Sequence, residues 1–582
     1  MGKQKEADGQ SGYCTPTLIN LYYMTESLSP VRWRSWYIAL VVAGILVNLL
    51  GLHSSILEPD GALYASIAKT MVLKGDWVNL YAHNRDWLDK PHFPFWMTAI
   101  SYSIFGINEI AYKIPALVFW ALGGWYTLLI ARRLYSEQVA QVALLIYLTA
   151  LHLVISNNDV RAEPYLTGLL AGCVYYWLPG FRQRRTGLVL GALFLAAAIM
   201  TKGIFILIPV VGAFLLHWAL NGRLKAELSK PKWWLALGLV GVFILPELLT
   251  LYWQFDQHPE KVVFGRTGVS GLRFFFWDSQ FGRFMNTGPI KGKGDPFFFL
   301  HTLLWAFLPW SILLYIAMWE KIKGLVRREK GEWVLPGISL ICFLLFSASR
   351  FQLPHYMNIV FPFFAIVTVD WLLRQDVESK KLRVLGGIQV GISILLLVGC
   401  IGLWVLMYGL NFRPLVYVLS MAIIWNLLRK KTASYGFGLP SRMILSTSLA
   451  AITLYGFLNL YFYPALLQYQ SGEQVAKQVN QQQPGKRIYQ TNPLSYSLDF
   501  YSDGPVRYTD RAEVINAAKD SAVLYYSTRE QRDTLVTMGV PVQVVDSFPH
   551  YHISKLKIGF LMPDKRPKYL QYRYLMEVGP KP

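Results

Sequence analysis

The chain has 582 residues, of which 54% are hydrophobic and only 16% charged, and its 56 Lys and Arg outnumber its 35 Asp and Glu to leave a formal charge of +21. That composition excludes an ordinary water-soluble protein of this length. The basic excess does not point to nucleic acid either, because Lys and Arg cluster in short loops between apolar runs, as orientation signals do in membranes.

Residues 1–35 are expected to form a cytoplasmic N-terminal segment with no cleavable leader. Runs able to cross about 30 Å of hydrocarbon then lie near 36–57, 114–130, 139–155, 165–177, 188–200, 204–220, 234–253, 297–319, 334–346, 357–372, 384–407, 414–428 and 443–462. They predict a polytopic α-helical domain of about thirteen transmembrane helices over 36–463. The break at "TKG", residues 201–203, is placed there because one helix over 188–220 would be about 50 Å long. Taking alternate loops puts "ARRLYSEQ", "GFRQRRTG", "NGRLKAELSKPK", "EKIKGLVRREKGE", "RQDVESKKLR" and "LLRKKTASYGFGLPSR" on one face, all basic and so cytoplasmic. The opposite face receives the large loop 58–113, "NNDVRAEP", "TKG", residues 254–296, "SASRFQLPHY", "GLNF" and everything after 464. Of the four cysteines, Cys173, Cys342 and Cys400 fall inside apolar runs and are expected to be small core residues, and Cys14 shows no paired spacing.

In the first outer loop "PDGALYASIAKTMVLKG" reads as an amphipathic interfacial helix, with Asp60 at its start, Leu63, Ile67 and Met71 on one stripe and Gly75 as its stop. Asp60 could equally serve as its N-cap. Trp77, Tyr81, Trp87 and Trp96 suit a membrane interface. The tail, 464–582, alternates strand-like "KRIYQT", "SAVLYYS" and "VQVVDS" with helical "SGEQVAKQVNQQ" and "DRAEVINAAK", which predicts a small soluble α/β domain on the outer side, with no catalytic motif.

Every outer connection before the tail except "GLNF" carries a charge beside a span: Asp60, Asp89 and Lys90; Asp159, Arg161 and Glu163; Lys202; Arg266, Arg273 and His301; Arg350 and His355. Charges beside apolar spans are costly unless they pair or face a watery cavity, so a set sharing one face marks a site. Carboxylates beside fixed cations at a membrane surface suit transfer of a sugar from a lipid-linked phosphate. The cations take up charge as the glycosidic bond breaks, and a carboxylate orients or deprotonates the acceptor. No cofactor is required, a divalent metal is permitted without being indicated, and nucleotide-binding and zinc-hydrolase motifs are missing.

The stretch "PDGALYASIAKTMVLKGDWVNLY" and, further on, "WLDKPHFPFWMTAISYSIFGINEIAYKIPAL" resemble the opening of the GT-C membrane glycosyltransferases related to protein O-mannosyltransferases and to the bacterial 4-amino-4-deoxy-L-arabinose lipid A transferase. The likeness rests on the order of Asp60, Tyr64-Ala65, Gly75-Asp76-Trp77, Asp89-Lys90-Pro91 and Phe105-Gly106. It implies an inverting transferase in a bacterial inner membrane. The donor would be a polyprenyl (undecaprenyl) phosphate sugar and the acceptor lipid A or another envelope lipid or glycan, with protein less favoured. By the same resemblance Asp60 is the catalytic carboxylate and Glu163, a better match than Asp159, its partner, with Asp159 kept in the catalytic set. Lys90, Lys202, Arg266, Arg350 and Tyr356 would bind the donor phosphate, and Asp89, Tyr64 and His355 would position the loop and acceptor. Two departures stand out: Gly61 and Leu63 occupy positions where the arabinosamine branch has Glu and Arg, and Asp89 replaces a Glu. A transporter or flippase of lipid-linked sugars is the alternative, against which no related halves or mid-span charges are visible.

Overall fold

The computed structural model describes residues 30–178, 185–408 and 412–580. Cys14, most of the N-terminal segment, part of the 180–187 loop and most of "GLNF" lie outside the described residues. Each of the thirteen predicted runs is helical. Among the described residues, eight helices are long and apolar enough to cross a bilayer, and a ninth arises if Glu137–Leu148 and Leu151–Asn158, bent by 51°, count as one. Others, such as Ile204–Leu220 and Val334–Ala348, are apolar but shorter. The helix Arg185–Lys202 does stop at "TKG": Gly203 has φ +112°, and a Cβ there would come within 2.1 Å of the Gln280 side chain. Only glycine satisfies both the backbone angle and that approach.

The helices are closed by ordinary local chemistry. Asn108 and Ser136 cap Glu109–Leu134 and Glu137–Leu148 by accepting from backbone N–H groups three residues on. Many large apolar side chains, among them Trp125, Leu395 and Val398, point outward, as lipid-facing residues do. Between the helices several buried polar side chains pair with one another or with backbone carbonyls. Asn157 donates to Asn48 (2.7 Å) and Asn158 to Asn459 (2.8 Å). Lys113, with no exposed surface, donates to the carbonyls of Gly51 (2.7 Å) and Ser54 (2.6 Å). That lysine fixes the path of the chain from the first helix toward Asp60.

The helix Asp60–Lys74 ends at Gly75, left-handed at φ +66°. It buries a broader face than its Leu63, Ile67, Met71 stripe suggests, since Gly61, Ala62, Ala65, Ser66 and Ala68 are also covered. Its small side chains let it lie between the helix Phe93–Phe105 and the tail helix Tyr496–Tyr501. Asp76 is a turn acid, accepting from the N–H groups of Val78 (3.1 Å) and Asn79 (2.9 Å). A short hairpin follows, β1 (Tyr81–Ala82) and β2 (Arg85–Asp86), whose turn residues His83 and Asn84 are both left-handed.

The tail forms a five-stranded mixed sheet of β3 (Ile488–Gln490), β4 (Val506–Tyr508), β5 (Val523–Thr528), β6 (Val542–His550) and β7 (Gln571–Val578), in the order β4-β3-β5-β7-β6. The three predicted strands and both helices are present, and β4 and β7 are additional. The tail is seated on the helical domain: Tyr551, Phe560 and Leu561 share a core with Cys400, Trp404 and Phe457. It also grips the Asp60 helix. Glu58 accepts from Ser495 Oγ, Ser497 N and Ser497 Oγ (2.6–2.7 Å). Lys69 Nζ donates to the carbonyls of Asp499, Phe500 and Ser502 (2.6–3.0 Å), closing the C-terminus of the tail helix.

Candidate active site

A cavity of about 360 Å³ opens at the end of the helix bundle that carries the tail. One wall is charged, with Asp60, Asp89, Lys90, Arg161, Glu163, Lys202 and Arg283. The other is apolar, including Phe205, Leu251, Phe274, Phe281 and Phe346. The charges arrive from four connections: Asp60, Asp89 and Lys90 from 58–113, Arg161 and Glu163 from "NNDVRAEP", Lys202 from "TKG" and Arg283 from 254–296.

Asp60 is the first residue of its helix and Pro59 occupies the cap position without a side-chain hydrogen bond, so Asp60 is not an N-cap. Its carboxylate is free to take Arg161, whose Nη1 lies 2.6 Å from Asp60 Oδ2. The same guanidinium donates from Nη2 (2.8 Å) and Nε (3.0 Å) to Asp159 Oδ2. Arg161 thus bridges two carboxylates, and Asp60, 38% exposed at its side chain, is the open member. Burial pushes the Asp159 carboxyl up, and Arg161 only partly offsets it. Tyr64 beside them is held well above the usual phenol range, first by burial and then by the Asp60 charge, so it stays protonated.

Elsewhere on the charged wall Asp89 joins two cations. Lys90 Nζ donates to Asp89 Oδ2 at 2.6 Å, and Arg283 pairs with Asp89 Oδ1. Burial would raise the Asp89 carboxyl, but Lys90 and Arg283 outweigh it and hold it below the usual range. Burial also lowers Lys90, against the pull of Asp89. Glu163 is 2% exposed at its side chain; it pairs with Lys202 and faces His355 Nε2 at 3.7 Å. Lys202 Nζ sits 3.9 Å from the centre of the Tyr356 ring.

Below Lys90 the loop is pinned by a buried pair. Glu247 accepts from His92 N (2.9 Å) and lies 3.1 Å from His92 Nδ1, and neither side chain is exposed. His92 Nε2 donates to the Val78 carbonyl at 2.9 Å. This pair fixes the Asp89-Lys90-Pro91 turn.

Of the predicted residues, the structure brings Asp60, Tyr64, Asp89, Lys90, Glu163, Lys202, His355 and Tyr356 to the cavity wall, with Asp159 just behind Arg161. Glu163 pairs with Lys202 and not with Asp60, whose partner is Arg161. Arg266 and Arg350 are corrections: neither lines the cavity. Arg266 is exposed in a tight turn whose backbone pairs with Val263, and Arg350 is exposed with its N–H donating to Phe284 (3.2 Å). A cation that does line the cavity, paired with Asp89, is Arg283, from a helical segment, Phe274–Met285, rich in aromatics. Its position in the same connection as Arg266 was the only signal that could have suggested it.

The model of the family described as dolichyl-phosphate-mannose-protein mannosyltransferase matches residues 89–253. An uncharacterized protein of Aquifex aeolicus is 24% identical over 461 residues, 78% of this chain and 83% of that protein. The undecaprenyl phosphate-alpha-4-amino-4-deoxy-L-arabinose arabinosyl transferase of Edwardsiella ictaluri is 28% identical over 368 residues, 62% of this chain and 63% of that protein, so the match spans less than two thirds of its length. Among solved structures, ArnT from Cupriavidus metallidurans bound to undecaprenyl phosphate superposes with a TM-score of 0.72 at 20% identity, covering 94% of this chain and 98% of that one. The matched family region carries Lys90, Arg161, Glu163 and Lys202, and the fold of the Cupriavidus structure is shared almost end to end, so the chain is similar in sequence and in fold to these membrane glycosyltransferases.

Proposed function

We propose that the chain moves a sugar, with inversion, from a polyprenyl phosphate donor to an envelope lipid or glycan at the outer face of a bacterial inner membrane, lipid A being one such acceptor and protein less favoured. The carrying observation is the two-sided cavity, in which Lys90, Lys202 and Arg283 line the same charged wall as the Asp60–Arg161 pair and the other wall is aromatic and aliphatic. The apolar wall suits a prenyl chain, and the printed ligand of the Cupriavidus structure, undecaprenyl phosphate, supports that donor. The name of the Edwardsiella relative supports a lipid-linked pentose.

In this reading the donor phosphate sits among Lys90, Lys202 and Arg283. As the bond to the anomeric carbon breaks, the phosphate gains a negative charge, which these cations stabilise without having to reorganise. Asp60 orients the acceptor and takes its proton. Glu163 and Asp89 hold the cations in place, Arg161 holds Asp60, and one in-line displacement inverts the anomeric centre. The tail, on the same outer side, seats the Asp60 helix, and residues 1–35 remain cytoplasmic.

The test is turnover by the purified chain in lipid nanodiscs, given undecaprenyl-phosphate-linked sugars and extracted envelope lipids, with release of undecaprenyl phosphate followed by chromatography. Release by the wild type and not by Asp60→Asn is expected. Equal release by both, or none by either with every donor, overturns the reading.

A further inference from the structure

The strands β6 and β7 are antiparallel neighbours with His550 opposite Gln571, yet they are joined by the whole of 551–570. A hairpin ordinarily closes in about two to five residues, and a much longer connection usually has a task of its own. This one folds into three short turns, Ile553–Lys555, Ile558–Leu561 and Arg566–Lys568, and is fixed to the helical domain. Tyr551, Ile553, Phe560 and Leu561 are buried against Cys400, Trp404 and Met407, in the last turns of the helix Lys380–Tyr408. Arg566 ties the same place: Nε donates to the Phe560 carbonyl (3.0 Å), Nη1 to the Tyr469 hydroxyl (3.0 Å) and Nη2 to the Met407 carbonyl (3.4 Å).

That place is the edge of a bilayer. The helix Lys380–Tyr408 is long and apolar enough to cross one, and its Val398 and Val405 point outward as lipid-facing residues do. Val405 stands within a turn of the helix end, so the connection lies at the level of the headgroups. There it presents Lys555, Leu556, Lys557 and Ile558 in alternation, all exposed, Ile558 by 68%. Lys565 and Lys568 are exposed as well, and Asp564 is the only acid within 551–570. Basic residues in short loops beside a span set its orientation, but a folded segment this far beyond the last span has no such part, so orientation does not account for these lysines.

We propose that 551–570 is a membrane-surface site for anionic phospholipid headgroups. Leu556 and Ile558 enter the acyl boundary, while Lys555, Lys557, Lys565 and Lys568 lay their stems along it and reach the phosphates, as interfacial anchors do that combine apolar burial with basic charge. Arg566, with all three side-chain nitrogens directed at protein acceptors, holds the segment and is not one of the headgroup cations. The two apolar tips suit any bilayer, whereas the four lysines favour an anionic lipid over a zwitterionic one. The site ties the tail to the bilayer as well as to the helices, and it does not depend on which sugar or acceptor the chain uses.

The experiment is hydrogen–deuterium exchange of the full chain in nanodiscs of phosphatidylcholine alone and of phosphatidylcholine with an equal amount of phosphatidylglycerol. The backbone N–H groups of Phe560 and Arg566, bonded within the connection at 3.0 and 2.8 Å, report on the site, and those of β5 report on the fold of the tail. Exchange in 551–570 is expected to be at least about fivefold slower with phosphatidylglycerol, the scale of one lysine at an anionic surface, with β5 unchanged. Lys555→Gln, Lys557→Gln, Lys565→Gln and Lys568→Gln combined remove that difference, whereas Ile558→Ser speeds exchange in both lipids. Equal exchange of the wild type in the two nanodiscs overturns the site, as does a difference that the combined variant retains. Slowing of the same size by inorganic phosphate in phosphatidylcholine nanodiscs also overturns it, because a soluble anion would then be the ligand.

Discussion

Arg161 Nη1 lies 2.6 Å from Asp60 Oδ2, so a side chain from the loop before the Glu163 helix orients the carboxylate at the start of the first outer helix. Removing it leaves Asp60 and Asp159 facing each other without a cation between them. Arg161→Ala is therefore expected to lower kcat about 100-fold, the scale of a lost charge-assisted contact. It also moves the acid limb of the pH–rate profile to higher pH, because neighbouring carboxylates then resist ionising together. Arg161→Lys, lacking the fork, recovers charge but only part of the rate. Steady-state kinetics across pH checks all three.

Asp60→Asn keeps the shape of the site and removes the carboxylate proposed as the base. The expected loss is about 10²–10⁴-fold in kcat, the range for a missing general base. Undecaprenyl phosphate binding persists, because Lys90, Lys202 and Arg283 are untouched. Titration with undecaprenyl phosphate separates the two effects.

Lys202→Met leaves Glu163, 2% exposed, without its lysine. Breaking one side of a buried pair costs about 3–5 kcal/mol, read as a fall in Tm of the detergent-purified protein. The double variant Glu163→Gln with Lys202→Met regains most of that Tm and none of the activity, since the cation is still missing.

Asp499 makes stability depend on pH. Burial pushes its carboxyl up to about 6, with Lys69 opposing. The folded state then holds its proton more tightly than the unfolded chain, so stability falls as pH rises from the usual carboxylate range, about 4, to about 6. His83, 3.8 Å away, does not compensate, because burial, helped by Arg85, lowers it to about 4 and leaves it neutral above that. Asp499→Asn is expected to raise stability near pH 7.5 by up to about 3 kcal/mol and to leave it unchanged near pH 4. Thermal unfolding of both proteins across this range decides it.

Arg283→Ala removes a cation that lines the cavity, and a loss of at least about tenfold in turnover is expected, alongside weaker undecaprenyl phosphate binding. Arg266→Ala and Arg350→Ala, both exposed and away from the cavity, change turnover less than about twofold, as surface substitutions do.

Much of this site is legible without coordinates because sidedness is a two-way choice at each loop. Once Lys and Arg in the short loops set one face, Asp60, Lys90, Glu163 and Lys202 must share the other. Which arginine turns inward is a different kind of question. Arg266, Arg273 and Arg283 occupy one long connection, and the choice among them depends on how Phe274–Met285 packs, through Gln280, against Gly203. Pairings are also hidden: the spacing of Asp60 and Glu163 does not reveal that Arg161 and Lys202 divide them into separate ion pairs. In the tail, alternation exposes β5 and β6, whereas β4 is only three residues long and is a strand by virtue of pairing with β3. The thirteen helices are foreseen as segments, but length alone does not make each of them a full crossing.

Ser495 and Ser497 hold Glu58 across 437 and 439 positions of sequence. The seat of the acid two residues beyond therefore includes contacts supplied by the last fifth of the polypeptide. A chain shortened before 495 keeps the cations of the cavity and loses the contacts that seat its first outer acid.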